Sequence, residues 1–240
     1  RQRSFVDFGL SVERFDESVA CSQDIEQRKF KFHLNQDNRD NPIDPKKGTM
    51  AILRFDAYGG PLGGNRSYVK YSIDLRNYIT IFKYITFASR VNGGLISGWS
   101  NDYDQYETIL FEKFYLGGSN TLRAIRPLRL LNYNNDNFDN DGDGEIDEED
   151  EDRNIPSGKE MMALTNMEVR FPLLWEIGGV LFFDGGNIYG DAKNINIESL
   201  VWNYGIALTL NLPVGPLRVD FARDSVDPKI YQIQLGFLYA

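Results

Sequence analysis

Trp202-Asn203-Tyr204-Gly205-Ile206-Ala207-Leu208-Thr209-Leu210-Asn211-Leu212 alternates without a break. Successive side chains of a β-strand point to opposite faces. A strand here therefore presents Trp202, Tyr204, Ile206, Leu208, Leu210 and Leu212 on one face and Asn203, Gly205, Ala207, Thr209 and Asn211 on the other. One face is wholly apolar and the other small or polar. The last stretch repeats the pattern, with Tyr231, Ile233, Leu235, Phe237 and Tyr239 opposing Gln232, Gln234, Gly236 and Leu238.

Working outward, the same period of two recurs about ten times. Val6, Phe8, Leu10 and Val12 oppose Asp7, Gly9, Ser11 and Glu13; Phe30, Phe32 and Leu34 oppose Lys29, Lys31, His33 and Asn35. Leu53, Phe55 and Ala57 oppose Arg54, Asp56 and Tyr58, and Val69, Tyr71, Ile73, Leu75 and Ile79 oppose Lys70, Ser72, Asp74, Arg76 and Tyr78. Val169 and Phe171 oppose Glu168 and Arg170; Leu217, Val219 and Phe221 oppose Arg218 and Asp220. Segments near 83–99 and 180–189 complete the set. A water-soluble sandwich also has one apolar and one polar face per strand. Three features favour a membrane instead. The strands run to about 10 to 15 residues, against the roughly 5 to 6 usual in globular sheets. Aromatics fall near segment ends, at Tyr58, Tyr68, Trp99, Trp175, Tyr189, Trp202, Tyr231 and Tyr239, where an interfacial girdle would put them. Short connections (174–178, 213–216) alternate with long ones (35–47, 100–157), as periplasmic turns and extracellular loops do. The fold class expected is all-β, a transmembrane antiparallel β-barrel. Ten strands could close alone or belong to a larger barrel, since an open edge in lipid leaves backbone groups unpaired.

Composition narrows the chemistry. The chain has 240 residues and no run approaching the roughly 18 to 20 apolar residues of a membrane helix. A barrel strand meets lipid only at every second residue, so low hydropathy does not argue for solubility. One cysteine, Cys21, excludes an intrachain disulfide, and one histidine, His33, leaves little room for a zinc site or a Cys–His or Ser–His–Asp centre. The net charge of −9 is local: residues 136–153 hold eleven acidic side chains and one arginine, so the rest of the chain carries +1. No basic stripe suggests nucleic acid. The start, Arg1-Gln2-Arg3-Ser4-Phe5, shows no signal peptide and reads as a cut edge of a longer protein.

The segment Phe111-Glu112-Lys113-Phe114-Tyr115-Leu116-Gly117-Gly118-Ser119-Asn120-Thr121-Leu122-Arg123-Ala124-Ile125 resembles a loop signature, F-GG-x-x-[ST]-[VIL]-R-[GA]-[FYW]. That signature belongs to the sixth extracellular loop of the BamA/TamA family of outer-membrane protein insertases and of related two-partner secretion transporters. Ala124 stands where Gly is commoner, and Ile125 where an aromatic is. Asn166-Met167-Glu168-Val169-Arg170-Phe171-Pro172 resembles the family's N-x-E-[VLY]-R-F-P strand, and Phe182-Phe183-Asp184-Gly185-Gly186-Asn187-Ile188-Tyr189 its F-x-D-x-G-x-[VI]-[WY] strand. Gly205 to Leu208 with Pro213-Val214-Gly215-Pro216-Leu217-Arg218-Val219-Asp220 resembles its G-x-[GA]-L and P-x-G-P-[LI]-R-x-D elements, residues 231–239 its C-terminal β-signal, and residues 37–48 its D-x-R-[DN]-x-P-x-x-G turn. The match covers about residues 35–240 and leans to the TamA side, including its lipoprotein-like relatives. The resemblance implies a sixteen-strand barrel of which these are the last ten, with the first six strands and periplasmic POTRA domains outside the chain. Residues 100–157 would be the sixth loop, with 136–153 an acidic insertion.

Two constellations follow. By alternation Glu168 and Asp184 share the lumen face, and in the family the loop arginine docks on these two carboxylates; Arg123 is the matching residue, within the loop motif of Gly117, Gly118, Leu122, Ala124 and Ile125. A guanidinium fork suits carboxylates. The second is Asp139-Asn140-Asp141-Gly142-Asp143-Gly144-Glu145-Ile146-Asp147-Glu148-Glu149-Asp150, which fits a calcium loop. Asp139, Asp141, Asp143, the Glu145 carbonyl, Asp147 and Asp150 would ligate Ca2+, with Asp150 where Glu is usual. No enzyme activity is expected. The resemblance implies insertion of β-barrel clients into the outer membrane, or translocation of secreted ones, through a lateral gate at strand 230–240. Its partners would be membrane lipids, nascent clients and periplasmic or lipoprotein accessory subunits. The rival is a passive or two-partner outer-membrane transporter or pore, and behind it a barrel enzyme.

Overall fold

The computed structural model describes residues 3–15, 25–64, 66–98, 112–125, 158–190, 199–212, 215–223 and 231–237. They form ten strands: β1 (Arg3–Phe15), β2 (Ile25–Asp37), β3 (Gly48–Tyr58), β4 (Tyr68–Ile81), β5 (Ile85–Gly98), β6 (Met161–Leu174), β7 (Ile177–Tyr189), β8 (Val201–Leu212), β9 (Gly215–Arg223) and β10 (Tyr231–Phe237). All lie in one sheet in chain order, each antiparallel to the next. Among the described residues, β1 and β10 are each paired on one side only. The sheet is therefore an open, all-β, up-and-down arrangement. Nine strands have nine to fourteen residues, the length a tilted strand needs to cross a bilayer.

The two faces obey the parity read from the sequence. On β8, Trp202, Tyr204, Ile206, Leu208, Leu210 and Leu212 are exposed, while Asn203 and Ala207 are buried. Ile73 and Leu75 on β4, Leu181 and Phe183 on β7 and Phe221 on β9 continue the exposed apolar face. So much contiguous apolar surface is incompatible with water contact and suits lipid. The opposite, inner face carries Asp74, Glu168, Asp184, Asn203, Arg218 and Asp220, all buried. A slip of one residue in any ladder would turn these charges into lipid, so the register is strongly specified.

Two expectations about the ends of the strands are corrected. The connection within 35–47 is not an outer loop. Counting strand directions puts it at the same end as the short turns 82–84, 175–176 and 213–214, opposite the 99–160 connection. It is compact: Arg39 Nε and Nη2 donate to the Asp37 carboxylate, both at 2.9 Å, and Asp40 Oδ1 accepts from the amides of Asn41 (2.9 Å), Lys46 (2.9 Å) and Lys47 (3.2 Å). Burial alone would raise the Asp40 carboxyl, but those backbone donors outweigh it and hold it below its usual range. The aromatic girdle also differs. Tyr58 and Tyr68 are buried and stacked, with ring centroids 4.4 Å apart, and Tyr189 is buried as well. Tyr58 and Tyr68 have inner-face parity, which outranks their position near strand ends. Trp175 is 92% exposed and, with Phe82 and Tyr84, gives the short-turn end its aromatic belt.

Candidate functional site

The upper inner face breaks the polar rule. Ile96 on β5, Met162 and Leu164 on β6 and Ile188 on β7 occupy inner-face positions and are buried. What covers them is the segment 112–125, whose Phe114, Leu116, Leu122 and Ile125 join the same apolar cluster. Close approach is secured by missing side chains. A Cβ at Gly94 would stand 2.2 Å from the Phe114 ring, and one at Gly186 2.7 Å from Leu122. The segment is shaped internally by Thr121, whose Oγ1 accepts from the Gly117 amide at 2.9 Å and donates to the Gly117 carbonyl at 2.8 Å. Gly117 and Gly118 have φ of 114° and 95°, in the left-handed region that glycine tolerates. Ala124 has φ of 73°, a conformation costing an L-residue roughly 1–2 kcal/mol. This is the position where glycine is commoner in the motif.

At the tip the three residues singled out as a latch meet directly. Arg123 Nε donates to Asp184 Oδ2 at 2.6 Å, Nη2 to Asp184 Oδ1, and Nη1 to Glu168 Oε1 at 2.5 Å. Its guanidinium lies 3.8 Å over the Phe182 ring. Burial would weaken the hold of Arg123 on its proton, but Glu168, Asp184 and Asp220 overcompensate and raise it above the usual arginine range.

Sequence reasoning missed the rest of this cluster. Arg218 of β9 donates to Glu168 at 2.6 Å and to Asp220 at 2.5 Å, Arg170 donates to Glu168 at 2.8 Å, and Asp220 lies 3.9 Å from Arg123. Three guanidiniums face three carboxylates, so the cluster is near neutral, as a buried set must be to limit the desolvation cost. Asn166 Nδ2 bridges the Asp184 carboxylate (2.9 Å) and the Thr121 carbonyl (2.7 Å), and Asn203 Nδ2 donates to the Arg123 carbonyl at 2.6 Å. Arg218, Asp220 and Asn203 all had inner-face parity; what the sequence lacked was a reason to bring β8 and β9 to the loop.

The other end of the segment is held from β4 and from beside β6. Lys70 pairs with Glu112 at 3.2 Å and lies 4.9 Å over the Phe114 ring. Lys113 pairs with Glu160 at 3.2 Å, although burial still pushes the Glu160 carboxyl up. Arg90 of β5 donates to the Asn120 carbonyl at 2.8 Å. Of the last-strand residues, Ile233 and Leu235 point outward and are 71% and 70% exposed; Tyr231 and Phe237 lie in β10, and Tyr239 is outside the described residues. Asp139, Asp141, Asp143, Glu145, Asp147 and Asp150 are likewise outside them. Among the described residues no group of three or more His, Cys, Asp or Glu could hold a metal.

Comparison with known proteins agrees with this geometry. The outer membrane protein assembly factor BamA of Nitratidesulfovibrio vulgaris is 25% identical over 191 residues, which are 78% of this chain and 22% of that protein. The chain thus spans about a fifth of the length of this curated relative. The crystal structure of BamA from Haemophilus ducreyi lacking POTRA domains 1–3 superposes with a TM-score of 0.66 at 15% identity, covering 88% of this chain and 41% of that one; it supports the fold alone. Both relatives are BamA proteins, and neither separates the BamA from the TamA side of the resemblance. The exposed apolar face and this kinship make the chain an integral outer-membrane protein. Residues 3–237 match the Omp85 superfamily domain, and the chain belongs to that superfamily.

Proposed function

We propose that this chain supplies ten strands of a barrel that assembles other proteins into the outer membrane, using a lateral opening at β10 and a loop docked in the lumen. The process uses no bond chemistry. The observation that carries the reading is kinship: residues 3–237 match the Omp85 superfamily domain, and a 25% identical relative is an outer membrane protein assembly factor. β10 is the last strand of the described sheet and pairs with β9. A strand edge that opens exposes N–H and C=O groups, and an incoming strand gains main-chain hydrogen bonds by adding to it. The clients are nascent β-barrel proteins; accessory subunits in the periplasm or anchored by lipid would deliver them.

In this reading Arg123, Glu168 and Asp184 form a latch. The latch keeps 112–125 against the inner face while the edge opens. The acidic stretch 139–150 binds calcium on the outer side. The test is to crosslink β10, through engineered cysteines, to the strand that closes the barrel against it in the whole protein. Assembly of a client barrel into liposomes should stop and recover on reduction. Full activity in a quantitatively crosslinked barrel would favour a passive transporter instead.

A further inference from the structure

β10 meets more than β9. Its inner-face side chain Gln234 donates from Nε2 to the Ile125 carbonyl at 3.2 Å, two residues beyond Arg123. Gly236, the next inner-face position, lies under Ser119: a Cβ built on it would be 3.1 Å from Ser119 Oγ and 3.4 Å from Ser119 Cβ. The loop tip thus touches β10 at two successive inner-face positions. The same few residues are tied to β5 through Asn120, to β6 and β7 through Thr121 and Arg123, and to β8 through the Arg123 carbonyl. The ten-residue span from Leu116 to Ile125 crosses the inner face from β5 to the sheet edge. Its stop on β10 is not forced by the ladder, which needs only β9.

We infer that Gln234 is a positioning residue that joins loop docking and the placement of β10 into one linked equilibrium, with Gly236 kept small to admit Ser119. The strand is held by its ladder on one side and by the docked loop from within. Release of Arg123 removes the inner hold, and displacement of β10 removes the Gln234 donor from the Ile125 carbonyl of the loop. Linkage of this kind is reciprocal by necessity. The inference rests on the proposed function only where β10 is read as the strand that opens; the linkage itself does not.

The geometry offers its own probe. A separation of 3.4 Å between the Ser119 Cβ and a Cβ at position 236 is close to the roughly 3.5–4.5 Å that a disulfide requires. The experiment uses the full-length protein in outer-membrane vesicles, with Cys21→Ser and the pair Ser119→Cys and Gly236→Cys. The disulfide should form in high yield, and its rate of formation should fall about two- to tenfold with Gln234→Ala, the factor one ordinary hydrogen bond supports. It should fall further with Arg123→Ala. Gln234→Lys, which keeps a donor, should restore much of the rate, whereas Gln234→Glu, which cannot donate when ionised, should not. A rate indifferent to both Gln234→Ala and Arg123→Ala would overturn the inference. Client assembly gives the second arm. A trapped barrel should lose assembly and regain it on reduction; unimpaired assembly in the trapped barrel would overturn the coupling of the loop to the opening strand. If the untrapped protein assembles no client while trapping still depends on Arg123 and Gln234, the proposed function fails and the linkage stands.

Discussion

Replacing Arg123 by alanine should undock the tip of the 112–125 segment without unfolding the sheet. The side chains involved are buried: 3% exposed for Arg123, 10% for Glu168 and 0% for Asp184. Removing one partner of such a pair costs about 3–5 kcal/mol, because the other charge stays buried. The orphan here is Asp184. Glu168 keeps Arg170 and Arg218, whereas Asp184 keeps only Asn166 and the Arg123 amide among the described donors. The buried apolar side chains of Phe114, Leu116, Leu122 and Ile125 also hold the segment, so the loss should be local to its tip. Amide exchange in 117–125 should accelerate by about two to nearly four orders of magnitude in Arg123→Ala, since each 1.4 kcal/mol is a factor of ten. The backbone amides of β6 and β7 should keep their protection. Adding Asp184→Asn removes the orphan charge, so the double variant should be less perturbed than the two single effects added together, by about 1–3 kcal/mol. Additive effects, or unchanged exchange in Arg123→Ala, would refute the reasoning.

Ala124→Gly should leave docking within about 1 kcal/mol of the parent, since relief at φ 73° is offset by loss of a buried methyl packed near Val180 and Phe182; Ala124→Val, β-branched at positive φ, should undock the tip, as read by the same exchange experiment. The Asp40 carboxyl is held below its usual range when folded, so its contribution to the 38–47 turn is complete above about pH 4 and is lost as pH falls through the depressed value; exchange of the Lys46 and Lys47 amides should quicken there, and Asp40→Asn should abolish that dependence. Calcium should protect residues 136–153 from protease in the whole barrel; equal cleavage with calcium and with chelator would argue against the calcium loop.

The sequence disclosed the sheet because alternation is local: the parity of Asn203, Ala207, Asp220 and Glu168 alone assigns their faces. A short motif pointed to the contact of Arg123 with Glu168 and Asp184. The seat of the loop was visible only as an anomaly, in Ile96, Met162, Leu164 and Ile188 at positions where a lumen should be polar. Segment 112–125 has no period of its own, so nothing local showed that it lies on those residues. Position near strand ends suggests an interfacial place for Tyr58 and Tyr68, but their parity points inward, and both are buried. Length alone reads the 35–47 connection as an outer loop; the count of strand directions puts it at the opposite end. Arg218 and Asp220 entered the cluster through contacts between β9, β6 and the loop, which sequence spacing cannot encode.

Client capture at β10 is the most direct test. A photo-reactive residue at Leu235 on β10, and as control at Ile73 on β4, would be activated while the full-length protein assembles a radiolabelled barrel client. Both positions face outward. Lateral assembly at β10 predicts a client adduct at 235, formed only during assembly and absent at 73. Equal adducts at both positions, or none at 235 while assembly proceeds, would contradict it.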